Sequence, residues 1–213
     1  MRVTGDNDGM ELTDETFREL ARSSPWRWRS VHLLRESGGP PPDGEVEAWI
    51  RRPDRMRVAY DGGVHIVRHA TDEVDAERGT DPMWQSYQWV AMLAPVELAD
   101  GQDAPGTVLA NLRETQRRGR RTWWANAVPT EAYFPRCGCC PLLWSEISDR
   151  GEYGGENPYL STPDHPTSYE VALDVETGIC VALHAQGGTP LSPDLEVTVL
   201  AVDELYPDDF FRG

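Results

Sequence analysis

The sequence lacks an apolar run that approaches the roughly 18 residues that a membrane-spanning helix needs. Its first nine residues are polar and contain no apolar stretch of the kind that a secretory signal peptide requires. We therefore expect residues 1–9 to be disordered and the protein to be cytoplasmic. In that compartment the four cysteines are expected to be reduced thiols or metal ligands, because structural disulfides are rare there.

Basic residues are scarce relative to acidic ones. The chain has 20 Lys and Arg against 36 Asp and Glu, which gives a formal net charge of −16. A chain of this charge repels nucleic acid phosphates and anionic membrane surfaces at long range. Nucleic acid is therefore excluded as an expected partner, and the acidity by itself identifies no other one.

Recognisable catalytic motifs are also absent. The chain contains no G-x-S-x-G elbow, P-loop, Rossmann fingerprint or H-E-x-x-H helix. Carboxylates are so numerous that two of them lying close together would carry no information about a reaction. We therefore expect no enzymatic activity, and we assign neither catalytic residues nor a cofactor.

What the sequence does contain is a strong period-two alternation of apolar and polar residues, which predicts antiparallel strands with one buried face. The strands are expected within residues 26–69, 108–128 and 168–202, and helices at residues 13–22 and 82–93. Residues 61–63 (DGG) signal a tight hairpin turn. A chain of 213 residues suits one domain, interrupted at about residues 130–166 by an insertion rich in Cys, Gly and Pro. The predicted fold class is α+β.

Five stretches in order along the chain resemble the LolA-like superfamily, which includes bacterial lipoprotein carriers and the sensor domain of sigma-factor regulators. They are residues 45–58 (EVEAWIRRPDRMRV) with the following DG, 92–98 (MLAPVEL), 119–129 (GRRTWWANAVP), 173–179 (LDVETGI) and 207–211 (PDDFF). The resemblance implies one domain over residues 10–213, with an antiparallel sheet curved into an open half-barrel and helices plugging its concave face. It also implies non-catalytic binding, because family members of this shape hold acyl chains or other apolar ligands.

The alternation places one set of apolar residues on a common face of the sheet, beneath the predicted helix at residues 82–93. We predict that this face binds an apolar or amphipathic ligand, such as a lipid-like molecule, or a protein partner. The alternative is a filled core, because protein interiors are normally close-packed. The predicted lining residues are Ile50, Val58, Tyr60, Ile66, Trp84, Val171, Leu183 and Val197.

Three cysteines lie within four residues, at positions 137, 139 and 140. They could supply three ligands to zinc, with Cys180 or a histidine as the fourth, which would make the protein a zinc-binding module. A thiol-redox pair is a second possibility, and a loop whose thiols pack as small apolar groups is a third. Because the spacing is not the usual pair of C-x2-C knuckles, no metal ligand is assigned from the sequence.

One cluster of positive charge stands out on the acidic chain, at residues 117–121 (RRGRR). It could hold a phosphate or an acidic partner, but a solvated hairpin tip is the favoured interpretation. Trp123 and Trp124 follow it as neighbours on a predicted strand, so they must point to opposite faces. Trp49 falls on the face opposite to its apolar neighbours Ala48 and Ile50 by the same parity.

Overall fold

A computed structural model of the chain describes residues 11–37, 44–68, 81–160, 164–190 and 194–212. The predicted disorder of residues 1–9 concerns a segment outside the described residues. The described helices are α1 (Asp14–Arg27), α2 (Gln88–Leu93) and α3 (Glu146–Tyr153), with 3-10 turns at Val96–Leu98 and Asp208–Phe211. The described strands are β1 (Ser30–Ser37), β2 (Val46–Arg51), β3 (Arg55–Tyr60), β4 (Gly63–Arg68), β5 (Thr107–Arg117), β6 (Arg120–Pro129), β7 (Ser168–Asp174), β8 (Cys180–Gln186) and β9 (Leu195–Val202).

These nine strands form one sheet in the order β4-β3-β2-β1-β9-β8-β7-β6-β5. Every neighbouring pair is antiparallel. Strands β4 and β5 are the two edges and do not pair with each other, so the sheet is open. The predicted fold class, α+β with an open antiparallel sheet, is confirmed.

Both α1 and α2 pack on the same face of the sheet, which we call the covered face. Phe17 and Leu20 of α1 and Trp89 and Leu93 of α2 join the apolar side chains of that face in one core cluster. Beneath α2 the guanidinium carbon of Arg35 lies 4.9 Å from the centre of the Trp89 ring, an attractive contact between a cation and a π face. The helices therefore plug the sheet as the resemblance implies.

Helix α1 is longer than the sequence predicts. It begins as expected after Thr13, whose side chain accepts a hydrogen bond from the Thr16 backbone in a capping box. It then continues through Pro25 to Arg27, so the expected start of the first strand at residue 26 is wrong, and β1 begins at Ser30. A hydrogen bond to another helix stabilises this last turn, because the Ser24 hydroxyl donates to the carbonyl of Leu93 in α2 at 2.7 Å.

Helix α2 is shorter than the expected helix at residues 82–93. The chain folds tightly on itself before the helix, where the Ser86 N–H donates to the Trp84 carbonyl at 2.7 Å. Gln85 has a φ of 62°, which is incompatible with a right-handed helix. The regular helix therefore begins only at Gln88, and the six residues before it approach the sheet as irregular chain.

The register of the β3–β4 hairpin corrects one predicted site residue. Tyr60 pairs with Gly63, so the turn has two residues and not three, and Val58 pairs with His65 while Arg57 pairs with Ile66. Residues that pair directly share a face, and a shift of one residue moves a whole strand to the other face. Ile66 therefore lies on the face opposite to Val58, and the prediction that both line one cavity is wrong.

The turn between β7 and β8 explains the sequence DVETG at residues 174–178. The Asp174 carboxylate accepts hydrogen bonds from the Thr177 backbone N–H at 2.9 Å and hydroxyl at 2.7 Å. Gly178 has a φ of +72°, and a Cβ atom there would lie only 2.7 Å from the Leu20 carbonyl oxygen of α1. Glycine is required both for the backbone conformation and for the close approach of the helix.

The tryptophan predictions are confirmed. Trp123 is fully buried in the core cluster, whereas Trp124 lies on the other face, where its indole N–H donates to the Thr115 hydroxyl at 2.9 Å. Trp49 also lies on that outer face, stacked on His32 at 4.6 Å and edge-on to Phe210 at 5.6 Å. The C-terminal turn therefore covers the outer face of β1 to β3.

Candidate functional site

Most of the predicted lining residues form a filled core. Ile50, Val58, Trp84, Val171, Leu183 and Val197 all belong to the core cluster and are between 0% and 6% exposed. Tyr60 is half-buried and packs on Trp84 with ring centres 5.2 Å apart. Of the eight residues, only Leu183 lines the cavity described next.

That cavity has a volume of about 300 Å³. It lies between the covered face of β7 and β8, the irregular residues 82–87 before α2 (the approach to α2) and the cysteine-bearing loop at residues 133–145. The sheet contributes Tyr169, Leu183 and Ala185 to its wall, and the approach to α2 contributes Gln85, Ser86 and Gln88. The loop contributes Cys139, Cys140, Pro141, Leu142 and Trp144, and Pro190 and Asp194 complete the wall. Three segments that are distant in sequence therefore enclose one space.

Hydrogen bonds from buried groups hold the loop in place over the sheet. The Tyr169 hydroxyl donates to the Trp144 carbonyl at 2.6 Å, and the Leu143 N–H donates to the Tyr133 hydroxyl at 2.9 Å. The Leu142 N–H donates to Oε1 of Glu97 at 2.9 Å. The cavity wall formed by the loop is thus fixed to β7 and to the 3-10 turn that follows α2.

Glu97 is an acidic residue in an apolar interior. Burial raises the pKa of its carboxyl group to about 7, and the bond from Leu142 opposes this only in part. Its second oxygen, Oε2, has no hydrogen-bond partner among the described residues. A protonated carboxyl group is favoured in such a place, because burial penalises the charged form.

Among the described residues, the polar part of the cavity wall carries no positive side chain. Its one ionisable carboxyl group is that of Asp194, which also accepts a hydrogen bond from the Ala185 N–H at 3.1 Å. The side-chain amides of Gln85 and Gln88 also belong to residues that line the wall. The wall can therefore satisfy neutral polar groups, and its electrostatics favour a cation over an anion.

The three cysteines of the loop form a compact cluster at the same wall. Their Sγ atoms are separated by 3.0 Å between Cys137 and Cys139, 3.3 Å between Cys137 and Cys140, and 3.7 Å between Cys139 and Cys140. Cys139 is exposed and the other two are half-buried. The hydrogen bond with Cys137 raises the pKa of Cys139, and burial raises the pKa of Cys140 to about 12.

Cys180 does not join this cluster, contrary to its suggested role as a fourth ligand. It is fully buried on β8, where its thiol donates to the Ala182 carbonyl at 3.4 Å and burial raises its pKa to about 12. Among the described residues, the group of three thiols contains no histidine or carboxylate. Within that part of the chain, neither Cys180 nor a histidine therefore supplies the fourth ligand that the sequence suggested.

One arginine, Arg52, contacts both ends of the segment at residues 81–93, which includes the approach to α2 and α2 itself. Arg52 forms a two-point ion pair with Asp81 at 2.6 and 2.7 Å, and the same guanidinium donates to the Leu93 carbonyl at 3.3 Å. Its carbon lies 3.3 Å from the centre of the Trp28 ring. Both the beginning and the end of the 81–93 segment are thus attached to the end of β2.

The arginines at residues 117–121 are occupied by neighbouring acids. Arg117 pairs with Glu196, and Arg118 at the turn pairs with Glu36. Arg120 forms a two-point pair with Asp174 at 2.6 and 2.9 Å. These contacts attach the β5–β6 hairpin to β9, β1 and β7, so these arginines are already engaged and a phosphate site there has no support.

His184 lies on the outer face between two carboxylates. Its Nε2 atom is 2.6 Å from Glu196 and its Nδ1 atom is 3.4 Å from Glu170. Burial alone would lower the pKa of His184, but the hydrogen bonds to Glu196 and Glu170 outweigh it and the pKa is raised. The histidine is therefore part of a charge network with Glu196 and Glu170.

A second, wider hollow of about 910 Å³ lies where the end of α1 meets the chain after β9. Two large apolar side chains on its wall are exposed, Trp26 at 73% and Leu205 at 98%. Two of its arginines have partners, since Arg51 donates to the Tyr206 carbonyl at 2.9 Å and Arg52 pairs with Asp81. The hollow therefore offers an apolar surface beside arginine side chains.

The predicted architecture, an open antiparallel sheet with helices packed on one face, is confirmed. No helix among the described residues is long and apolar enough to cross a membrane. The chain matches no protein-family model and no curated protein.

The solved structures that are similar to the chain include the following two. One is the complex of Pseudomonas aeruginosa MucA/MucB, with 13% identity and a TM-score of 0.46 over 93% of this chain and 60% of that chain. The other is LprF from Mycobacterium bovis, with 11% identity and a TM-score of 0.42 over 91% of this chain and 96% of that chain. The chain thus spans 60% of the length of the first of these structures.

Proposed function

We propose that the protein binds a small apolar ligand, neutral or positively charged, without catalysis. The observation that carries this proposal is the cavity of about 300 Å³ beside Leu183, enclosed mainly by apolar side chains from three segments. Ligand sites typically measure roughly 300–1,000 Å³, so this one is small. It suits a single chain or ring system and not a lipid with several acyl chains.

The charge of the cavity wall supports the choice of ligand. Within the described ranges, the wall contains the Asp194 carboxyl group and no arginine, and the whole chain carries a formal charge of −16. An anionic head group would lose hydration without gaining a cationic partner, which costs several kcal/mol for a fully buried ion. The LolA-like resemblance supports the same class of function, because its members hold apolar ligands.

Two naphthalene dyes test the proposal, because they differ mainly by one negative charge. N-phenyl-1-naphthylamine is neutral, and 8-anilino-1-naphthalenesulfonate carries a sulfonate on a closely related skeleton. We expect saturable fluorescence enhancement with the neutral dye, and binding of the anionic dye weaker by at least about tenfold, or 1.4 kcal/mol. Equal binding of the two dyes, or none of the neutral one, would contradict the proposal.

Substitutions in the wall locate the binding site. Leu183→Glu places a charge in the cavity and should abolish binding of the neutral dye, whereas Leu200→Glu, at a 48% exposed position on β9, should leave it unchanged. Because Leu183 is also a core residue, Ala185→Trp serves as a second variant that fills the cavity from a half-buried position. Retained binding in the folded Ala185→Trp protein would place the dye elsewhere.

The hollow beside Trp26 and Leu205 favours a second candidate function, the binding of a protein partner. Exposed apolar side chains that share one surface are typical of interaction sites. A photo-crosslinking amino acid introduced at position 205 tests this candidate in cells. A single discrete adduct that disappears with Trp26→Ser would support it, and a smear of adducts unaffected by that change would argue against it.

A further inference from the structure

We propose that Cys137, Cys139 and Cys140 bind a Zn²⁺ ion through three thiolates. Their three Sγ atoms form a triangle with sides of 3.0, 3.3 and 3.7 Å. Sulfur ligands on a tetrahedral zinc, at Zn–S distances of about 2.3 Å, are about 3.8 Å apart. The triangle is therefore similar to one face of a zinc coordination tetrahedron, with sides shorter by about 0.1–0.8 Å.

The presence of the third thiol favours a metal over a disulfide. A disulfide joins two sulfur atoms and needs no third one near it, whereas all three sulfurs here lie within 3.7 Å of each other. Packing as small apolar groups is also a poor explanation, because Cys139 is exposed and the other two are only half-buried. A soft cation is what three converging thiolates at a surface would stabilise.

The backbone of the loop is built to bring the three side chains together. The Cys140 N–H reaches the Cys137 carbonyl at 3.4 Å, which closes a tight turn. Gly138 lies close to α3 in that turn, because a Cβ atom there would lie 2.2 Å from Oε2 and 2.7 Å from Cβ of Glu152. The Glu152 side chain of α3 thus packs directly on the loop and restricts its conformation.

The fourth coordination position is open to a ligand that is not cysteine. Cys180 is buried on β8, and the group of three thiols contains no other ligand residue among the described ones. Three protein ligands with an open fourth position form an established type of zinc site. On binding, the three S–H protons pass to solvent as three Zn–S bonds form, which leaves a net charge of −1 on the site.

The site would fix one wall of the cavity, because Cys139 and Cys140 both line it. This inference is independent of the proposed ligand-binding function, since a metal can be measured without any organic ligand. A negative result in the dye experiment would therefore not contradict the zinc site, and a negative result in the zinc experiment would not contradict the ligand-binding cavity.

Elemental analysis of the full chain, purified without a tag or chelator and reconstituted with zinc, tests the proposal. We expect about one equivalent of zinc after desalting, and a thiolate-to-metal charge-transfer band when Co²⁺ replaces it. Cys139→Ser should weaken zinc binding more than the roughly 10–100-fold that loss of an outer-shell partner costs. Cys180→Ala is the matched control and should retain the full equivalent.

Three outcomes would overturn the assignment. They are wild-type protein that keeps less than about a tenth of an equivalent, zinc binding unchanged in Cys139→Ser, and one equivalent of copper in place of zinc. Thiol counting under anaerobic conditions adds a fourth, because a disulfide between two of the three cysteines would favour the redox interpretation. Since Cys139 is exposed, circular dichroism should show its serine variant to be folded, and Cys137→Ser repeats the test if it is not.

Discussion

Replacing Glu97 by glutamine gives the most direct test of how the loop is held over the sheet. The carboxyl group is buried, accepts one hydrogen bond from the Leu142 N–H at 2.9 Å and leaves Oε2 without a partner among the described residues. Glutamine keeps an oxygen that can accept the same bond and cannot ionise. The substitution therefore removes the charge of this group and preserves its shape.

The expected effect follows from the pKa of Glu97, which is about 7 in the folded protein against an ordinary value of 4.5, because burial disfavours the charged form. Between these two values the unfolded chain has released the proton and the folded protein still holds it, so raising the pH favours unfolding. The stabilisation is complete below pH 4.5 and is lost as the pH rises through about 7. At about 1.4 kcal/mol per pH unit, the loss is about 3 kcal/mol.

Urea unfolding at several pH values between 4.5 and 8 measures this effect. At the acidic end, the free energies of unfolding of the wild type and Glu97→Gln should agree within about 1 kcal/mol. At pH 8 the variant should be the more stable protein, by about 3 kcal/mol. Glu131→Gln is the matched control, since that side chain is 80% exposed. A difference between wild type and Glu97→Gln that does not change with pH would refute the reasoning.

Three further substitutions test other parts of the structure. Arg52→Met leaves a buried carboxylate unpaired and should lower the free energy of unfolding by about 3–5 kcal/mol, whereas Arg55→Met, in a more exposed pair, should cost less than about 1 kcal/mol. Gly178→Ala should be more destabilising than Gly119→Ala in chemical denaturation, because both have positive φ and only the first meets neighbouring atoms; equal losses would contradict the contact with α1. The pKa of His184 is raised above 6.5 by its carboxylate neighbours, so its stabilisation is present below pH 6.5 and lost as the pH rises through the folded value; an NMR titration giving a lower pKa would contradict this.

The sheet could be predicted from the sequence because alternation is a local signal. Strands β3 (Arg55–Tyr60) and β9 (Leu195–Val202) lie within the ranges predicted to contain strands. The errors lie where a single residue in a turn determines the register of a strand or the start of a helix. One residue fewer in the β3–β4 turn moved Ile66 to the outer face, and the positive φ of Gln85 delayed the start of α2.

The candidate site was only partly predictable, because its wall is assembled by contacts between distant segments. Leu183 could be identified, since it alternates within a strand and lies on the covered face. Trp144 and Gln85 could not, because their positions depend on how the loop and the approach to α2 pack on β7 and β8. The proximity of the three thiols was visible in the sequence, but the convergence of their Sγ atoms was not.

The segment at residues 133–145 carries much of the candidate site. It contributes five of the side chains around the cavity, and it carries all three clustered thiols. It is also anchored from below, by Glu97 at Leu142 and by Tyr169 at Trp144. Beneath β1 to β3, in contrast, the covered face is closed by Trp89 and its neighbours. Because the cavity of the described residues lies beside this loop, the ligand choice that we propose should depend on the loop more than on the strands.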